Sequence, residues 1–538
     1  MKNKSFLLNY NNLIIFSYFI IIFFFSLTKV GDYGATIDDY IYYINGVHTY
    51  EYVKHIFLSI FNDGINLDLY RSSINEFPVF YEFVLVSICK LLNISDSREI
   101  FLTAHYLNFF LFFLGLIVFF RIIKKRFGNS LIALTGVTFF VLSPRIFAES
   151  FYNSRDIFFL CLFVFYSNSL INFLHKQNLK NTILFSFFTA LLLNAKILGL
   201  VPIGLFCLLY IYNYLNTKRK FYRNQKQIYI FVIFCLFFIY VLWPYLWNSP
   251  VKNLFFALKN MLAVHEEIIL VNFYFGEHLS SDMMPWHYRI VWFLITTPVV
   301  ILILFFSGLF LSGKKIIKLL DLSLDKKFEF NNKEFFDLLL ILTLFFSFFI
   351  VLEFNKSKFG GWRHLYYLYP ISIYFALYFI NFLFTKKTNF LKYFAFTAVS
   401  LNLTYNLIWF SKNHPHQYVF FNFIAKNYAM KNFDLDWWGV SHKSSVDYIL
   451  SKDTKEEIKI FVEGFASLRD TLMHLKNDDR KRIKLTDYKD ADYVIDSKMK
   501  RLRVNNNLAE NKSLELIYEL IIDRQPINSV YKKITTKE

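Results

Sequence analysis

Long apolar runs alternate with short polar segments through the first 410 residues of the chain. Several runs approach the roughly 20 residues with which an α-helix crosses a hydrocarbon core of about 30 Å. The first covers residues 13–30 and the last residues 390–410. If Lys2 and Lys4 mark the inner face, the Lys- and Arg-rich loops that follow predict about eleven crossings, including runs at 100–123, 228–243, 288–311 and 335–352. The pattern therefore predicts a polytopic α-helical membrane protein.

Two long segments between crossings are predicted to lie outside, at residues 31–98 and 244–288. The first is acidic near its start, and its apolar residues between positions 41 and 60 recur at helical spacing. Such a segment is typical of an amphipathic helix at the membrane surface. A second short apolar piece, residues 77–92, contains Pro, Glu and Lys and is predicted to lie on the membrane rather than to cross it.

The composition turns polar after His414, Pro415 and His416. Alternating apolar residues and turn signals predict a strand at 458–464, a helix at 468–475, a strand at 491–495 and two strands within 514–531. Long translocated domains are exempt from the charge rule that orients short loops. We therefore predict a membrane domain over residues 1–410 and a small external α/β domain over residues 411–538.

Composition narrows the class of protein. Hydrophobic residues make up 55% of the chain and charged residues 19%, which excludes an ordinary soluble enzyme. The net charge of +18 comes from short loops between apolar runs, so it indicates membrane orientation rather than a nucleic-acid partner. The 69 Phe residues accompany many Ile, Asn and Lys, as in an AT-rich coding sequence. The four Cys residues are far apart in apolar sequence and indicate packing.

Only the loops assigned to the outer face mix acidic, basic and aromatic residues. Asp38 and Asp39 follow the first apolar run, where ionisable residues at a membrane boundary indicate a functional site. The basic candidates at the outer ends of helices are Arg145, Arg155, Lys196, Arg363 and His364. One face of the membrane is therefore predicted to carry the chemistry.

A carboxylate near several fixed cations suits transfer of a group from a phosphate to a hydroxyl. The carboxylate accepts the proton of the acceptor, and the cations stabilise the charge on the departing phosphate. Nucleotide sugars are absent outside a cell, whereas basic pockets between membrane helices bind lipid head groups. A sugar carried on a lipid phosphate satisfies both conditions.

Asp38 and Asp39 could offer oxygen ligands to a divalent ion, but no cluster along the chain has metal-ligand spacing, so no cofactor is expected.

The order of crossings and the acidic pair after the first helix resemble the GT-C glycosyltransferases. The resemblance is to bacterial relatives of protein O-mannosyltransferases and of the aminoarabinose transferase of lipid A, and it extends to about Lys443. It is strongest over residues 143–156. The other similar segments are Pro285 to Tyr288, Gly361 to His364 and His414 to Asn422.

The resemblance implies an enzyme of a bacterial inner membrane, with its site and its C-terminal domain on the external face. Such enzymes invert the anomeric centre of a sugar carried on a polyprenyl phosphate, and the first acid of the pair, here Asp38, is the base. Asp39 stands where Glu is commoner, and Glu149 stands where the branch often has His. Arg145, Arg155, Lys196, Arg363 and His364 are the expected donor-phosphate residues. The expected acceptor is a lipid, a cell-envelope glycan or a protein.

Each candidate also has a purely structural interpretation. Asp38 and Asp39 suit a solvated helix N-cap. The Arg and Lys side chains could extend from helix ends to the head groups, and Arg363 and His364 could belong to an interfacial belt with Trp362. Asp436, Trp437 and Trp438 invite comparison with the acceptor-binding Trp-Trp-Asp of oligosaccharyltransferase, but an amphipathic anchor beneath the tail is the simpler interpretation.

Two other functions remain open from the sequence. A transporter or flippase for a lipid-linked or anionic solute would also place cations at helix ends, although transporters usually bury their charged residues near the bilayer midplane in repeated, broken helices. No repeat is evident in the chain. Alternatively, the membrane part could be a scaffold for the tail domain, which deletion of residues 443–538 would test.

Overall fold

The computed structural model describes residues 2–61, 77–216, 225–267, 269–324, 331–354, 358–386, 389–463, 468–497, 508, 511 and 513–534. In the membrane domain the α-helices are α1 (Lys2–Leu27), α2 (Asp39–Ser59), α3 (Phe80–Leu91), α4 (Ser97–Phe127), α5 (Ser130–Val141), α6 (Pro144–Tyr152), α7 (Asp156–His175), α8 (Leu179–Ala195), α9 (Leu200–Asn216), α10 (Gln225–Leu242), α11 (Pro250–Glu267), α12 (Tyr288–Thr296), α13 (Val299–Leu324), α14 (Asn332–Phe354), α15 (Tyr369–Thr385) and α16 (Asn389–Lys412). Beyond them lie α17 (Lys426–Asn432), α18 (His442–Lys452), α19 (Arg469–Met473) and α20 (Asn477–Arg482).

The strands are short and fall into two sheets. They are β1 (Val271–Tyr274), β2 (Glu277–Ser280), β3 (Ile458–Glu463), β4 (Ile483–Leu485), β5 (Tyr493–Asp496), β6 (Leu514–Ile522) and β7 (Gln525–Lys533). Turns of 3-10 helix lie at Val30–Asp32, Ile197–Gly199, Pro244–Trp247, Arg363–Leu368, Gln417–Val419 and Tyr488–Asp490.

The protein is a polytopic helical membrane protein. Within the described residues, seven helices are long and apolar enough to cross a membrane, or eight if α5 and α6, which meet at 69°, form one broken span. Every crossing predicted from the sequence coincides with a helix or a pair of helices. The total of about eleven crossings stays a prediction.

Local signals in the sequence define the ends of α4. The Asp96 side chain accepts hydrogen bonds from the backbone N–H groups of Arg98 and Glu99, at 2.9 and 3.4 Å, and so caps the first turn. Gly128 ends the helix in the left-handed conformation, with φ of 71°. The resulting helix of 31 residues is longer than the predicted run at 100–123.

The prediction of one helix over 288–311 is wrong. The structure has two helices there, α12 and α13, separated by Thr297 and Pro298. Pro298 has no N–H to donate and disfavours a helical conformation at the residue before it. Thr297 is accordingly extended, with φ of −94° and ψ of 136°.

The segment 244–288 is also more structured than a loop. It contains α11 and the hairpin formed by β1 and β2, in which Tyr274 pairs with Glu277 beside the turn. Tyr274 also forms an isolated antiparallel bridge with Phe433, so the hairpin packs on the chain that follows α16. In the first external segment, the predicted helices are present as α2 and α3.

The buried centre of the bundle is α7. Of the 18-residue stretch that defines it as a span, 78% is buried inside the protein, compared with 11% for α10. The 3-10 turn Arg363–Leu368 packs against α7 and leads directly into α15. Two polar segments of the sequence, at residues 153–156 and 360–364, therefore meet at one end of the most buried helices.

The tail domain has a five-stranded sheet in the order β4-β3-β5-β7-β6. Strands β3, β4 and β5 are parallel, and β7 is antiparallel to both β5 and β6. Asp523 and Arg524 connect β6 to β7 and both have positive φ, as a two-residue hairpin turn requires. The predicted strands and helix are present, and the short strand β4 was not predicted.

Residues between α16 and α18 pack with the membrane domain. Val419, Phe433 and Val440 belong to its apolar core, while the separate core of the tail begins at Val446. Trp409 of α16 donates a hydrogen bond to Asp523 of the tail hairpin at 2.8 Å. The predicted division at residue 411 stays a prediction, and the packing shows that the following 30 residues are part of the main core.

A buried ion pair joins two helices at the end of the bundle away from the polar segments. Arg126 at the end of α4 donates to both oxygens of Asp337 in α14, at 3.2 and 2.6 Å. Tyr374 of α15 donates to the same carboxylate and accepts from Arg126 at 2.8 Å. The Asp337 side chain is 1% exposed, so its charge depends on these partners.

We predict that Asp337→Asn destabilises the fold, because it leaves the Arg126 guanidinium buried without its counter-ion. The expected loss in free energy of unfolding is about 3–5 kcal/mol, measured by thermal unfolding in detergent. Glu99→Gln removes a carboxylate from an exposed pair with Arg98 and should change stability by less than about 1 kcal/mol. Equal unfolding temperatures for the two variants would contradict this prediction.

Candidate functional site

Asp38 occupies the N-cap position of α2, but its side chain makes no capping hydrogen bond. Its carboxylate accepts a hydrogen bond from the Tyr42 hydroxyl at 3.3 Å. Burial raises the pKa of Tyr42 above its ordinary value, so this hydroxyl remains protonated and continues to donate. The Asp38 side chain therefore does not act as the solvated helix cap that was its purely structural interpretation. The Asp38 carboxylate is half-buried and available to a ligand.

Asp156, at the first position of α7, is the centre of a buried charge cluster. Lys196 donates to one of its oxygens, and Arg363 Nη1 lies 3.5 Å from the other. His364 Nδ1 is 3.8 Å from the carboxylate. The cluster combines two fixed cations with one carboxylate, so it retains a net positive charge.

Two glycines allow Arg363 to reach this position. Gly360 and Gly361 have φ of 66° and 67°, a conformation that glycine adopts at little cost. A Cβ atom at Gly360 would overlap the Arg363 side chain. The Arg363 guanidinium lies 4.1 Å from the centre of the Trp438 ring, where a cation–π contact holds it.

Arg155 lies on the side of the cluster that faces α2 and α3. Its Nε is 2.7 Å from Glu82 of α3, a contact between charges rather than an aligned hydrogen bond. Its guanidinium stacks over the Tyr42 ring at 4.5 Å and donates to the Pro78 carbonyl at 3.3 Å. Tyr42 connects this cation to the candidate base, because its ring contacts Arg155 and its hydroxyl donates to Asp38.

Arg145 lines a small cavity at the same end of the bundle. Its guanidinium lies over the rings of Trp292 and Phe421, at 5.4 and 5.8 Å, and Nη2 is 3.5 Å from the Phe420 carbonyl. Among the residues that the structure describes, no carboxylate lies within ion-pair distance of this guanidinium. The cavity is lined by Arg145, Glu149, Tyr288, Trp292, Gly360, Gly361, Arg363, Tyr366, Tyr418, Asp434, Leu435, Trp437 and Trp438.

Glu149 completes the inner wall of the cavity. It accepts a hydrogen bond from the Tyr366 hydroxyl at 2.6 Å and another from Asn153 Nδ2 at 2.7 Å. The same Asn153 amide donates to Asp156 at 2.9 Å and so connects the two carboxylates. Both acids accept from at least two donors within the protein, whereas the Asp38 side chain accepts from Tyr42 alone in the described part of the chain.

Asp39 points away from this cluster. Its two oxygens accept from the backbone and the hydroxyl of Thr36, at 2.9 and 2.6 Å. Burial of the carboxyl group, together with the charges of Asp470 and Asp38 and against the hydrogen bonds from Thr36, raises the pKa of Asp39 to about 7. Burial likewise raises the pKa of Asp470 in the tail domain to about 6. Asp39 and Asp470 are therefore two neighbouring acids where the start of α2 meets the tail.

The structure brings Asp38, Arg155, Lys196, Arg363 and His364 together, with Arg145 on the adjoining cavity. Sequence reasoning missed the central role of Asp156, although it belongs to the strongest segment of the resemblance. It also missed Tyr42, one helical turn after Asp38, and Glu82, which meets Arg155 only when α3 packs beside the start of α7. Trp438 contacts Arg363 inside the protein, so it is not an exposed anchor beneath the tail.

His287 lies in the segment from Pro285 to Tyr288, one of those that resemble the GT-C enzymes. In the structure its Nδ1 is 2.8 Å from the Tyr274 hydroxyl. Its neighbour Tyr288 lines the cavity and accepts a hydrogen bond from the Gly361 N–H at 3.0 Å. This segment therefore contributes Tyr288 rather than His287 to the site.

No protein-family model matches the chain, and no curated protein is significantly similar to it. Among solved structures, the chain is similar to ArnT from Cupriavidus metallidurans in the apo state, with 12% sequence identity and a TM-score of 0.39 over 85% of this chain and 87% of that one. For the same protein bound to undecaprenyl phosphate, the values are 13% and 0.38 over 86% and 88%.

The chain is also similar to the Archaeoglobus fulgidus oligosaccharyltransferase in the apo form. The identity is 11% and the TM-score 0.44, over 78% of this chain and 57% of that one. Likenesses at these scores establish neither a fold nor a family for this chain. At such scores they say nothing about chemistry, which rests on the residues described above.

Proposed function

We propose that this protein is an inverting glycosyltransferase that moves a sugar from a polyprenyl phosphate to a hydroxyl or amine of an acceptor outside the bacterial inner membrane. The observation that carries the proposal is the position of Asp38. Its carboxylate makes no capping bond, accepts from Tyr42 and lies beside a cluster of cations with excess positive charge. A proton acceptor next to an anion-binding cluster is what this transfer requires.

Asp38 acts as the general base in the proposed reaction. It accepts the proton of the acceptor as the acceptor atom attacks the anomeric carbon of the donor sugar. The bond from that carbon to the phosphate oxygen breaks on the opposite face, and its electron pair leaves with the polyprenyl phosphate. The anomeric configuration is therefore inverted. Protein donors already occupy Glu149 and Asp156, so neither is as well suited to accept this proton.

Arg145 is the principal ligand of the departing phosphate. Its guanidinium faces the cavity without an ion pair to any described carboxylate, so its charge is available to an anion. Lys196 and Arg363 share the charge of Asp156, and their excess positive charge adds to the field in the cavity. Arg155 is neutralised by Glu82 and is better suited to orient α3 and Tyr42 than to bind phosphate.

An apolar cavity beside the cluster suits the lipid chain of the donor. It lies between α2, α3 and the end of α10, where Val53, Val79, Phe83 and Trp247 are among its lining residues. Val79 follows Pro78, the carbonyl of which binds Arg155. An isoprenoid placed there would bring its phosphate to the cation cluster.

Asp38→Asn tests the base. The amide cannot accept the acceptor proton, so we expect the turnover number to fall by about 10² to 10⁴, while the affinity for polyprenyl phosphate stays near that of the wild type. Turnover is measured with membranes or purified protein and a panel of radiolabelled polyprenyl-phosphate sugars. Glu51→Gln removes a carboxylate from the same helix, where it pairs with Lys54, and should leave turnover unchanged. Turnover of Asp38→Asn close to that of this control would refute the assignment.

Arg145→Ala tests the phosphate ligand. Loss of a charge-assisted contact of about 1.5–3 kcal/mol should weaken binding of polyprenyl phosphate about ten- to hundred-fold, measured as quenching of tryptophan fluorescence in detergent. Arg121→Ala removes the same charge from an exposed site on α4 and should leave the affinity unchanged. Equal affinities for both variants would contradict the role of Arg145.

The transporter alternative has a distinct outcome. Purified protein in vesicles should convert a labelled donor sugar into a glycosylated product, with release of polyprenyl phosphate, when an acceptor is supplied. Movement of the intact lipid-linked sugar across the bilayer without any change in the sugar, in wild type and Asp38→Asn alike, would favour a flippase over the proposed enzyme.

A further inference from the structure

Three residues far apart in the sequence meet where the tail domain contacts the membrane domain. They are Asp39 at the start of α2, His105 in α4 and His474 after α19. Each offers one ligand atom, and these atoms all lie within 4.8 Å of one another. None of the three belongs to the cluster around Asp156, so this is a separate group of metal-ligating side chains.

Both imidazole rings are buried, and each has one ring nitrogen without a hydrogen-bond partner in the described part of the chain. His105 is 2% exposed and His474 is 5% exposed, and the Nε2 atom of each has no hydrogen-bond partner within the described part of the chain. A buried polar atom without a partner costs about 1–3 kcal/mol. Two such atoms beside a carboxylate are more readily explained by a shared ligand than by packing alone.

His105 is oriented as metal-bound histidines usually are. Its Nδ1 lies 3.4 Å from the carbonyl oxygen of Val30, which is completely buried. A backbone carbonyl that accepts from one ring nitrogen fixes the tautomer and leaves the lone pair of the other nitrogen for a metal. The two imidazole rings are 4.9 Å apart between centroids, and Phe101, one helical turn before His105, stacks on His474 at 5.1 Å.

The charges around the group suit a divalent cation. Asp39 and the neighbouring Asp470 supply two carboxylates. Asp470 is already paired with Arg469 at 3.8 Å, and the two cations that act on His474 pair with other acids, Lys443 with Asp447 at 2.7 Å and Arg98 with Glu99 at 3.2 Å. Two imidazoles and one carboxylate form a ligand set that zinc commonly takes, with a fourth position left for water or another group.

We propose that Asp39, His105 and His474 bind a zinc ion that fastens the tail domain to the outer end of the bundle. The ion would connect the turn that carries Asp38 to α4 and to the tail. Direct contacts already bring these parts together, since Ser97 of α4 donates to the Met473 carbonyl at 2.9 Å and the Tyr40 N–H donates to Asp470 at 3.2 Å. The role is structural, and the site stands whether or not Asp38 is a catalytic base.

The first measurement uses the full-length wild type, purified without a histidine tag. We expect about one zinc per chain by mass spectrometry of the metal after gel filtration. Removal of the metal with a chelator should lower the unfolding temperature, and added Zn²⁺ should restore it. Co²⁺ in place of zinc should give the intense visible absorption of a tetrahedral site. A wild type without zinc, and with stability insensitive to the chelator and to added Zn²⁺, would overturn the proposal.

Variants show whether these three residues hold the ion. His105→Gln, His474→Gln and Asp39→Asn should each lower the zinc content at least five-fold. His416→Gln is the matched control, because His416 is also buried but bonds Tyr418 and Ser444 through its two nitrogens, and it should retain the ion. Zinc that remains in all three ligand variants would be adventitious and would overturn the proposal. Asp38→Asn should keep its zinc, so failure of the proposed enzyme and failure of the metal site are distinguishable.

Discussion

The carboxylate of Asp156 is the interaction on which this structure depends. It is buried at the start of the most enclosed helix, where an ionised carboxylate is tolerated only with partners of opposite charge. Lys196 and Arg363 are those partners, and each comes from a different polar turn of the chain. Pairing with one acid therefore draws the ends of three spans to one point. Because two cations share one acid, the same contact that organises the bundle also leaves positive charge for a ligand.

The tail domain packs against the start of α2. The Tyr40 N–H donates to Asp470 of the tail, and Asp39 groups with His105 and His474, so these contacts adjoin the turn that carries Asp38. Although Asp38 and Asp39 are adjacent in the sequence, their side chains have different surroundings. Asp38 lies beside cations and a cavity, whereas Asp39 lies within a protein contact. The proposed division into base and metal ligand follows from this difference in surroundings.

Much of the architecture could be predicted because it depends on local patterns. The apolar runs predicted the helices, and the alternating residues of the tail predicted four of its five strands. Helix α4 begins after the Asp96 cap and ends at Gly128. The predictions that were wrong lie where a local signal was overlooked or was weak. Pro298 interrupts the helix expected over 288–311, and the helix and hairpin within 244–288 have less regular patterns than the spans.

Hydropathy and the placement of basic loops are properties of short stretches, so the chain itself establishes a multi-span helical protein with its candidate chemistry at one end. Partnership between distant side chains is a property of the packed fold. Neither the sharing of Asp156 by Lys196 and Arg363 nor the meeting of His105 with His474 has any signature in residue spacing. Lys196 and Arg363 lie 40 and 207 residues from Asp156, and the two histidines are farther apart still. Burial then determines which charges must be paired within the protein, and which of them, such as Arg145, remain available to a ligand.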